Sequence, residues 1–185
     1  GTALLDLKEY EEAIECFDKA IEIEKRTEKR PIYLCNKGLA LGRIEKNKEA
    51  IERYGKAIEI NPNLADAWKD VGLLLKDSRR HEEAIKCFDK AIEINPNLAD
   101  AWLARGLVLT QLKKDDDAIE QFNKAIELNP ESIDAWNQKG KALYHLGRYN
   151  EAIVCHDKTL KIKEYEDAYF FRGQSKCALS DYTGA

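Results

Sequence analysis

Five cysteines and three histidines are the side chains of this sequence best suited to act as nucleophiles, bases or metal ligands. A thiolate attacks or binds metal where its pKa is lowered, and a catalytic imidazole needs a positioned partner. Cys16, Cys35, Cys87, Cys155 and Cys177 contain no C-x-x-C pair, and their number is odd. A disulfide or zinc framework would require clustering. Cys16, Cys87 and Cys155 instead recur beside Phe17, Phe88 and His156, which reads as small, partly buried thiols in a reducing compartment. His156 stands where the other units have Phe or Tyr, and His81 stands where Tyr10 and Tyr149 do. Both read as core substitutions, His156 as a half-buried one. His145 lies outside that pattern, on the first helix of its unit, where ligand contact is the lesser of two readings. There is no Gly-rich phosphate loop, no G-x-S-x-G and no H-E-x-x-H. Acidic runs such as Glu82-Glu83 and Asp115-Asp116-Asp117 read as solvated helix faces. The sequence predicts no catalytic residue, no cofactor, no metal and no enzyme in this chain.

What positions these residues is a repeat. Asn63 to Trp68 and Asn97 to Trp102 both read NLADAW, 34 residues apart. Trp68, Gly72, Ala84, Phe88, Ala91 and Pro96 recur as Trp102, Gly106, Ala118, Phe122, Ala125 and Pro130. A fixed period of that length signals helical hairpins stacked so that each contacts its neighbours. Asn-Pro at 61–62, 95–96 and 129–130 should stop each preceding helix, because the residue before Pro is pushed out of the helical region. Asn63 and Asn97 are expected as N-caps, with Asp66 and Asp100 in the first turn near the positive end of the helix dipole. Trp68, Gly72 and Leu75 are expected as the core stripe, with Phe88 and Trp68 filling the space beside the small Gly72 and Ala84. The stretch 24–30 (EKRTEKR) lacks the Asn-Pro stop and should prolong its helix by about a turn of 3.6 residues. Pro31 suits the first turn of the next helix. The units read as a partial repeat 1–27, an insertion 28–30, repeats 31–64, 65–98, 99–132 and 133–165, and a partial repeat 166–185. Gly1 aligns with Gly72 inside a first helix, and Ala185 falls at the start of a second. The expectation is a piece of a longer array of roughly eleven helices, whose uncapped ends associate end to end.

This spacing of Trp, Gly, Ala, Phe, Ala and Pro resembles the tetratricopeptide-repeat (TPR) family over essentially the whole chain. The resemblance implies an all-α fold, a right-handed superhelical solenoid of antiparallel helix pairs. It also implies that the first helix of each pair lines a concave groove where peptides bind. The row offset by one residue from the core stripe then faces that groove. It supplies Cys35 and Leu39, then Lys69, Leu73 and Lys76, then Leu103, Leu107 and Thr110, then Asn137, Lys141 and Tyr144, and finally Phe170. Leu39, Leu73 and Leu107 would form an apolar strip, edged by Asp66, Asp100, Asp134 and Asp167, and such a strip is a plausible binding site. Chaperone-binding members of the family hold a C-terminal carboxylate with a Lys-Asn-Asn-Lys-Arg clamp. The row here begins with Ile32, Asp66, Asp100, Asp134 and Asp167 instead. An asparagine ladder of the glycosyltransferase type is missing too, since its positions hold Asn36, Asp70, Ala104, Gln138 and Phe171. Lys37, Arg105, Lys139 and Arg172 precede the small Gly and read as buried stems with charges reaching water, or as a basic ridge for an acidic partner.

The expected function is a protein–protein interaction scaffold holding a peptide or helical segment of a partner in the groove. The alternative is a regulatory or substrate-recruiting arm of a larger enzyme. A net charge of −4, with 35% charged residues of both signs, argues against nucleic-acid binding, which needs a basic footprint. No apolar run approaches the roughly 18–20 residues that cross a bilayer, and no signal-peptide pattern appears. The expected location is the cytoplasm, with no membrane partner.

Overall fold

A computed structural model of the chain describes residues 2–6, 9–24 and 28–183. Gly1 and Ala185, on which the expectation about the array's ends rests, lie outside these residues. The described residues form eleven α-helices and no strand. They fall into two compact units, residues 1–95 and 96–185. The first holds α1 (Thr2–Asp6), α2 (Tyr10–Ile23), α3 (Arg30–Arg43), α4 (Asn47–Ile60), α5 (Ala65–Asp77) and α6 (His81–Ile94). The second holds α7 (Ala99–Gln111), α8 (Asp115–Leu128), α9 (Ile133–His145), α10 (Tyr149–Ile162) and α11 (Glu166–Thr183). In the first unit α3 packs most closely on α4 and α5 on α6, while α2 on α3 and α4 on α5 join successive pairs. In the second unit α7 pairs with α8 and α9 with α10, and α11 packs on α10. The turns inside each pair are short, which makes the paired helices antiparallel.

Each pair is closed by an aromatic ring laid on a glycine. A Cβ built on Gly72 would lie 2.6 Å from Phe88 Cε1, and one on Gly106 would lie 2.5 Å from Phe122 Cε1. Tyr54 covers Gly38 at 2.9 Å, and His156 covers Gly140 at 2.6 Å. Real Cβ atoms do not approach that closely, so glycine is what lets the second helix seat its ring against the first. Phe88, Phe122 and His156 are completely buried, and Ala50, Ala84, Ala118 and Ala152 complete the small side of each seam.

The turns inside the pairs carry a periodic backbone signature. Glu45, Arg79, Lys113 and Gly147 all have positive φ, between 57° and 74°. At each turn the residue after that one donates its N–H back to a buried leucine carbonyl: Lys46 to Leu41, Arg80 to Leu75, Lys114 to Leu109 and Arg148 to Leu143, all at 2.9 Å. The positive-φ residue itself donates to Gly42, Lys76, Thr110 and Tyr144 respectively. This is the paired-bond ending that satisfies the last carbonyls of a helix.

The turns between pairs work differently from the sequence expectation. Asn61, Asn95 and Asn129 are extended, as a residue before Pro must be. Asn61 Oδ1 accepts from Asn63 N–H at 3.0 Å, and Asn129 Oδ1 accepts from Glu131 N–H at 3.2 Å. Asn63 and Asn97 are not the N-caps. Leu64 and Leu98 hold that position with no side-chain cap, because the Asn-Pro turn spends another residue before the helix begins. A side-chain cap is present at α9, where Ser132 Oγ accepts from Ala135 N–H at 3.3 Å. The tryptophans also leave the core centre. Trp68 is half-buried, and its indole N–H donates to the Pro62 carbonyl at 3.0 Å. Trp102 and Trp136 make the same bond to Pro96 and Pro130 at 2.9 Å. Each Trp pins the turn that precedes its own helix.

The expected extension of α2 does not occur. The helix stops at Ile23, in register with Ile60 and Ile94, and Glu24 leaves the helical region at φ −93°, ψ 56°. Residues 25–27, on which the rest of that expectation falls, lie outside the described residues. Pro31 does sit in the first turn of α3.

The glycine seam gives a paired test. Gly72→Leu should destabilise the fold by about 1–3 kcal/mol through overpacking against Phe88. Gly173 shares that register but has nothing within 4 Å of an added Cβ. Gly173→Ala should therefore stabilise by about 0.5–1 kcal/mol through helix propensity. Thermal melts of the two variants should shift in opposite directions, and an unchanged melting temperature for Gly72→Leu would contradict the seam.

Candidate partner-binding face

In the first unit α3 lies against α5, and their row residues open onto two adjoining cavities. One, of about 560 Å³, is lined by Ile32, Cys35, Asn36, Leu39, Tyr54, Leu64, Asp66, Asp70 and Ile94, among others. The other, of about 220 Å³, is lined by Gly38, Leu39, Gly42, Arg43, Tyr54, Asp70, Leu73 and Leu74. Leu39, Tyr54 and Asp70 belong to both. Leu39 is 37% exposed, while Cys35 and Leu73 are half-buried. Lys69 bonds Asp66 at 3.1 Å and Asp70 at 3.4 Å, and Lys76 bonds Asp77 at 3.3 Å.

Of the two residues shared with Leu39 by both cavities, Tyr54 escaped the sequence analysis and Asp70 entered it only as a position without the ladder asparagine. Tyr54 holds the ring position that Phe88 and Phe122 hold elsewhere. Its hydroxyl donates to Asp70 Oδ2 at 3.0 Å. A Tyr where the repeat elsewhere has Phe was the available signal, since a buried phenol needs an acceptor. Burial raises the Asp70 carboxyl above its usual range, against the opposing pull of Lys69 and Tyr54. For Lys69 burial pulls the other way, yet Asp70 and Asp66 leave its ammonium raised. The Cys35 thiol is pushed up to about 11, by burial first and then by the charges of Asp70 and Asp66. Burial and Asp70 likewise drive the Tyr54 phenol far upward. The Cys35 thiol and the Tyr54 phenol therefore stay protonated at neutral pH, beside the side chains of Asp66 and Asp70.

The second unit treats the same row differently. Leu103, Leu107 and Thr110 on α7 are half-buried, and the Thr110 hydroxyl donates to the Leu107 carbonyl at 2.8 Å. Asn137 is completely buried and does not face a partner, because both α7 and α11 pack on α9. Neither polar atom of its amide has a hydrogen-bond partner among the described residues. Lys141 and Tyr144 are spent inside the fold. Lys141 Nζ bonds Asp167 Oδ2 at 2.6 Å and lies 5.1 Å over the Phe171 ring. Tyr144 packs edge-on to Phe171 at 5.5 Å between ring centroids. These contacts tie α11 to α9. Phe170 is the member of the row that remains open, at 57% exposed. His145 is exposed, with its ring 6.0 Å from Tyr144.

His156 is fully buried, where half-burial was expected. It stacks on Phe171 at 5.9 Å, with ring planes 18° apart, and neither ring nitrogen has a partner among the described residues. Its seat against Gly140 has the depth of a phenylalanine seat. Burial, and then the Lys141 charge, lower its pKa to about 4, against weaker opposing pulls from Asp157 and Asp167. The basic residues before the small Gly form no free ridge where their partners are seen. Lys37 is buried and ion-paired with Asp18, Arg172 pairs with Asp157 at 2.6 Å, and Lys139 Nζ lies 5.6 Å over the Trp136 ring.

The sequence matches the tetratricopeptide repeat over residues 1–63, 65–98, 87–120 and 133–166, and the TPR repeat over residues 106–147. The chain belongs to the tetratricopeptide-repeat family. Its TPR fold is shared with solved structures. MamA is 25% identical with a TM-score of 0.78, the match covering 86% of this chain and 92% of that one. YrrB, a TPR protein with an unusual peptide-binding site, is 26% identical with a TM-score of 0.77, covering 90% of this chain and 85% of that one. PilF of Pseudomonas aeruginosa has a TM-score of 0.87 at 22% identity, covering 99% of this chain and 82% of that one, which is a likeness of fold alone. Among curated proteins none matches this TPR chain in sequence. No helix among the described residues is long and apolar enough to cross a membrane.

Two measurements test this electrostatic picture of the TPR chain. Cys35, Cys87 and Cys155 all have thiols pushed up to about 11, chiefly by burial. At pH 8 about one such thiol in a thousand is ionised. Exposed Cys16 and Cys177 should therefore react with iodoacetamide much faster in a mass-spectrometric time course, and equal rates would contradict the burial of the other three. The His156 shift carries a sign for stability. Its folded pKa of about 4 lies below the ordinary value, so the unfolded chain takes up the proton first as pH falls. Stability is then full above about pH 6.5 and declines toward pH 4, by on the order of 2–3 kcal/mol. Denaturant titrations should show a shallower decline in a His156→Phe variant, and identical slopes would overturn the assignment.

Proposed function

We propose that this TPR chain is a protein–protein interaction scaffold that holds a peptide or helical segment of a partner on the α3–α5 face of its first unit. The observation that carries the reading is the pair of adjoining cavities around Leu39, with apolar walls and a polar rim. Ligand sites are concave and largely apolar, with a few polar groups that fix orientation. The likeness to YrrB, a TPR protein with a peptide-binding site, supports the same use. On this reading the chain performs no catalysis of its own, since its thiols and phenol stay protonated where the partner would sit. Its cysteines are free, which fits a reducing compartment such as the cytoplasm. In the second unit the exposed Phe170 and the half-buried Leu103, Leu107 and Thr110 would add contacts, whereas Asn137, Lys141 and Tyr144 would not.

The test is Leu39→Asp combined with Leu73→Asp. Proteins recovered by the wild-type chain in an affinity capture should be lost with the double variant, while far-UV circular dichroism stays unchanged. Equal recovery would defeat the groove reading. Loss of helix would show that these leucines are core residues.

A further inference from the structure

The groove reading says where a partner lies but not what chemistry it presents. The larger cavity narrows that choice. Ile32, Leu64 and Ile94 give it an aliphatic wall, and Asp66 and Asp70 give it two carboxylates. One ammonium, that of Lys69, is bonded to both. Two carboxylates sharing one ammonium leave a negative charge in excess. Arg43 lines the smaller cavity and not the larger. Asp66 is 76% exposed and able to turn toward an occupant. Asp70 is held by Tyr54 and Lys69, one on each oxygen.

We infer that the α3–α5 groove is selective for a basic–aliphatic peptide segment, with a Lys or Arg of the partner in the larger cavity and an aliphatic side chain in the smaller one. This rests on the groove reading above. An aliphatic wall that ends at carboxylates matches a long side chain whose stem is apolar and whose head is charged. A bare metal ion would leave the apolar wall unused, and an acidic segment would meet like charge. The smaller cavity, about 220 Å³, sets Leu39, Leu73 and Leu74 beside one cation, Arg43, and one carboxyl, Asp70, and with no charge in excess it takes an uncharged branched side chain. Leu39 and Asp70 line both cavities, so the two side chains would sit close together along the bound segment.

The experiment is selection of a random dodecapeptide phage library on the intact chain, compared with selection on an Asp66→Asn/Asp70→Asn variant. Asn at 70 keeps an acceptor for the Tyr54 hydroxyl. If the double variant does not fold, Asp66→Asn alone serves, since its side chain is largely exposed. A selected peptide is then made with a fluorophore and titrated by anisotropy, beside a twin in which each Lys or Arg is replaced by Met. The expected result is enrichment of Lys or Arg next to Leu, Ile or Val on the wild type and not on the variant. The Met twin and the Asn variant should each bind about tenfold or more weakly, and added salt should weaken the wild-type complex. Enrichment of aliphatic residues without basic ones, lost in Leu39→Asp/Leu73→Asp, would overturn the charge selectivity and leave the groove reading standing. Peptides that bind the leucine variant as well as the wild type, or no enrichment at all, would overturn both.

Discussion

The fold depends on one contact, an aromatic ring seated where a glycine has no side chain. The ring comes from the second helix of a pair and the glycine from the first. Phe88 on Gly72 and Phe122 on Gly106 are so close that a single added carbon would overlap the ring. The approach fixes the spacing of the two helices, and within each unit successive pairs then stack, α4 on α5 and α8 on α9. Interiors packed this densely tolerate little change in volume. What they do tolerate is a change of ring chemistry at constant size, and this chain uses that freedom twice. Tyr54 adds a hydroxyl that reaches Asp70 on the cavity side of α5. His156 places an imidazole where no hydrogen bond reaches it, and burial keeps the ring neutral.

The repeat was legible because stacking requires the same residue type at the same place in every pair. Trp, Gly, Ala and Phe recur at fixed intervals for that reason, and the helices follow. The helix ends were less legible. The turns inside the pairs rest on backbone bonds and a left-handed residue, and only Gly147 advertises that conformation. Glu45, Arg79 and Lys113 adopt it without a matching side chain because the buried leucine carbonyls they help to cover need donors. Asn63 looked like a cap by type, yet Asn61 does the hydrogen bonding, from inside the Asn-Pro turn. The charged run after Ile23 looked helical by propensity, yet Glu24 already leaves the helical region.

The candidate site was legible in part. Counting one residue off the core stripe found Cys35, Leu39 and Leu73, which do line the cavities. It could not find Tyr54, because that residue belongs to the core register and contributes to the face only through its hydroxyl. It passed over Asp70, which sits where other members of the family carry a ladder residue. It also counted Asn137, Lys141 and Tyr144 as open. A periodic count gives the direction of a side chain on its own helix, and says nothing of what the neighbouring helix places in front of it.

That neighbour explains why the two units differ on the same row. In the first unit the row ends in Gly42 on α3, and the facing position on α5 holds Asp70. In the second unit the equivalent residues are Tyr144 on α9 and Phe171 on α11. Glycine leaves a gap that Leu74 reaches only at 3.5 Å from a built Cβ, and the facing carboxylate keeps the gap polar. Tyrosine fills the gap, meets Phe171 ring to edge at 5.5 Å, and is joined there by the Lys141–Asp167 pair. One pairing yields a cavity with a carboxylate at its floor, and the other yields an aromatic lock between first helices. The same backbone thus supports an open face and a closed one, and the choice is made by two side chains per interface. The shape and polarity of this face can therefore change by substitution at the row position and the residue facing it, with the glycine–ring seam untouched.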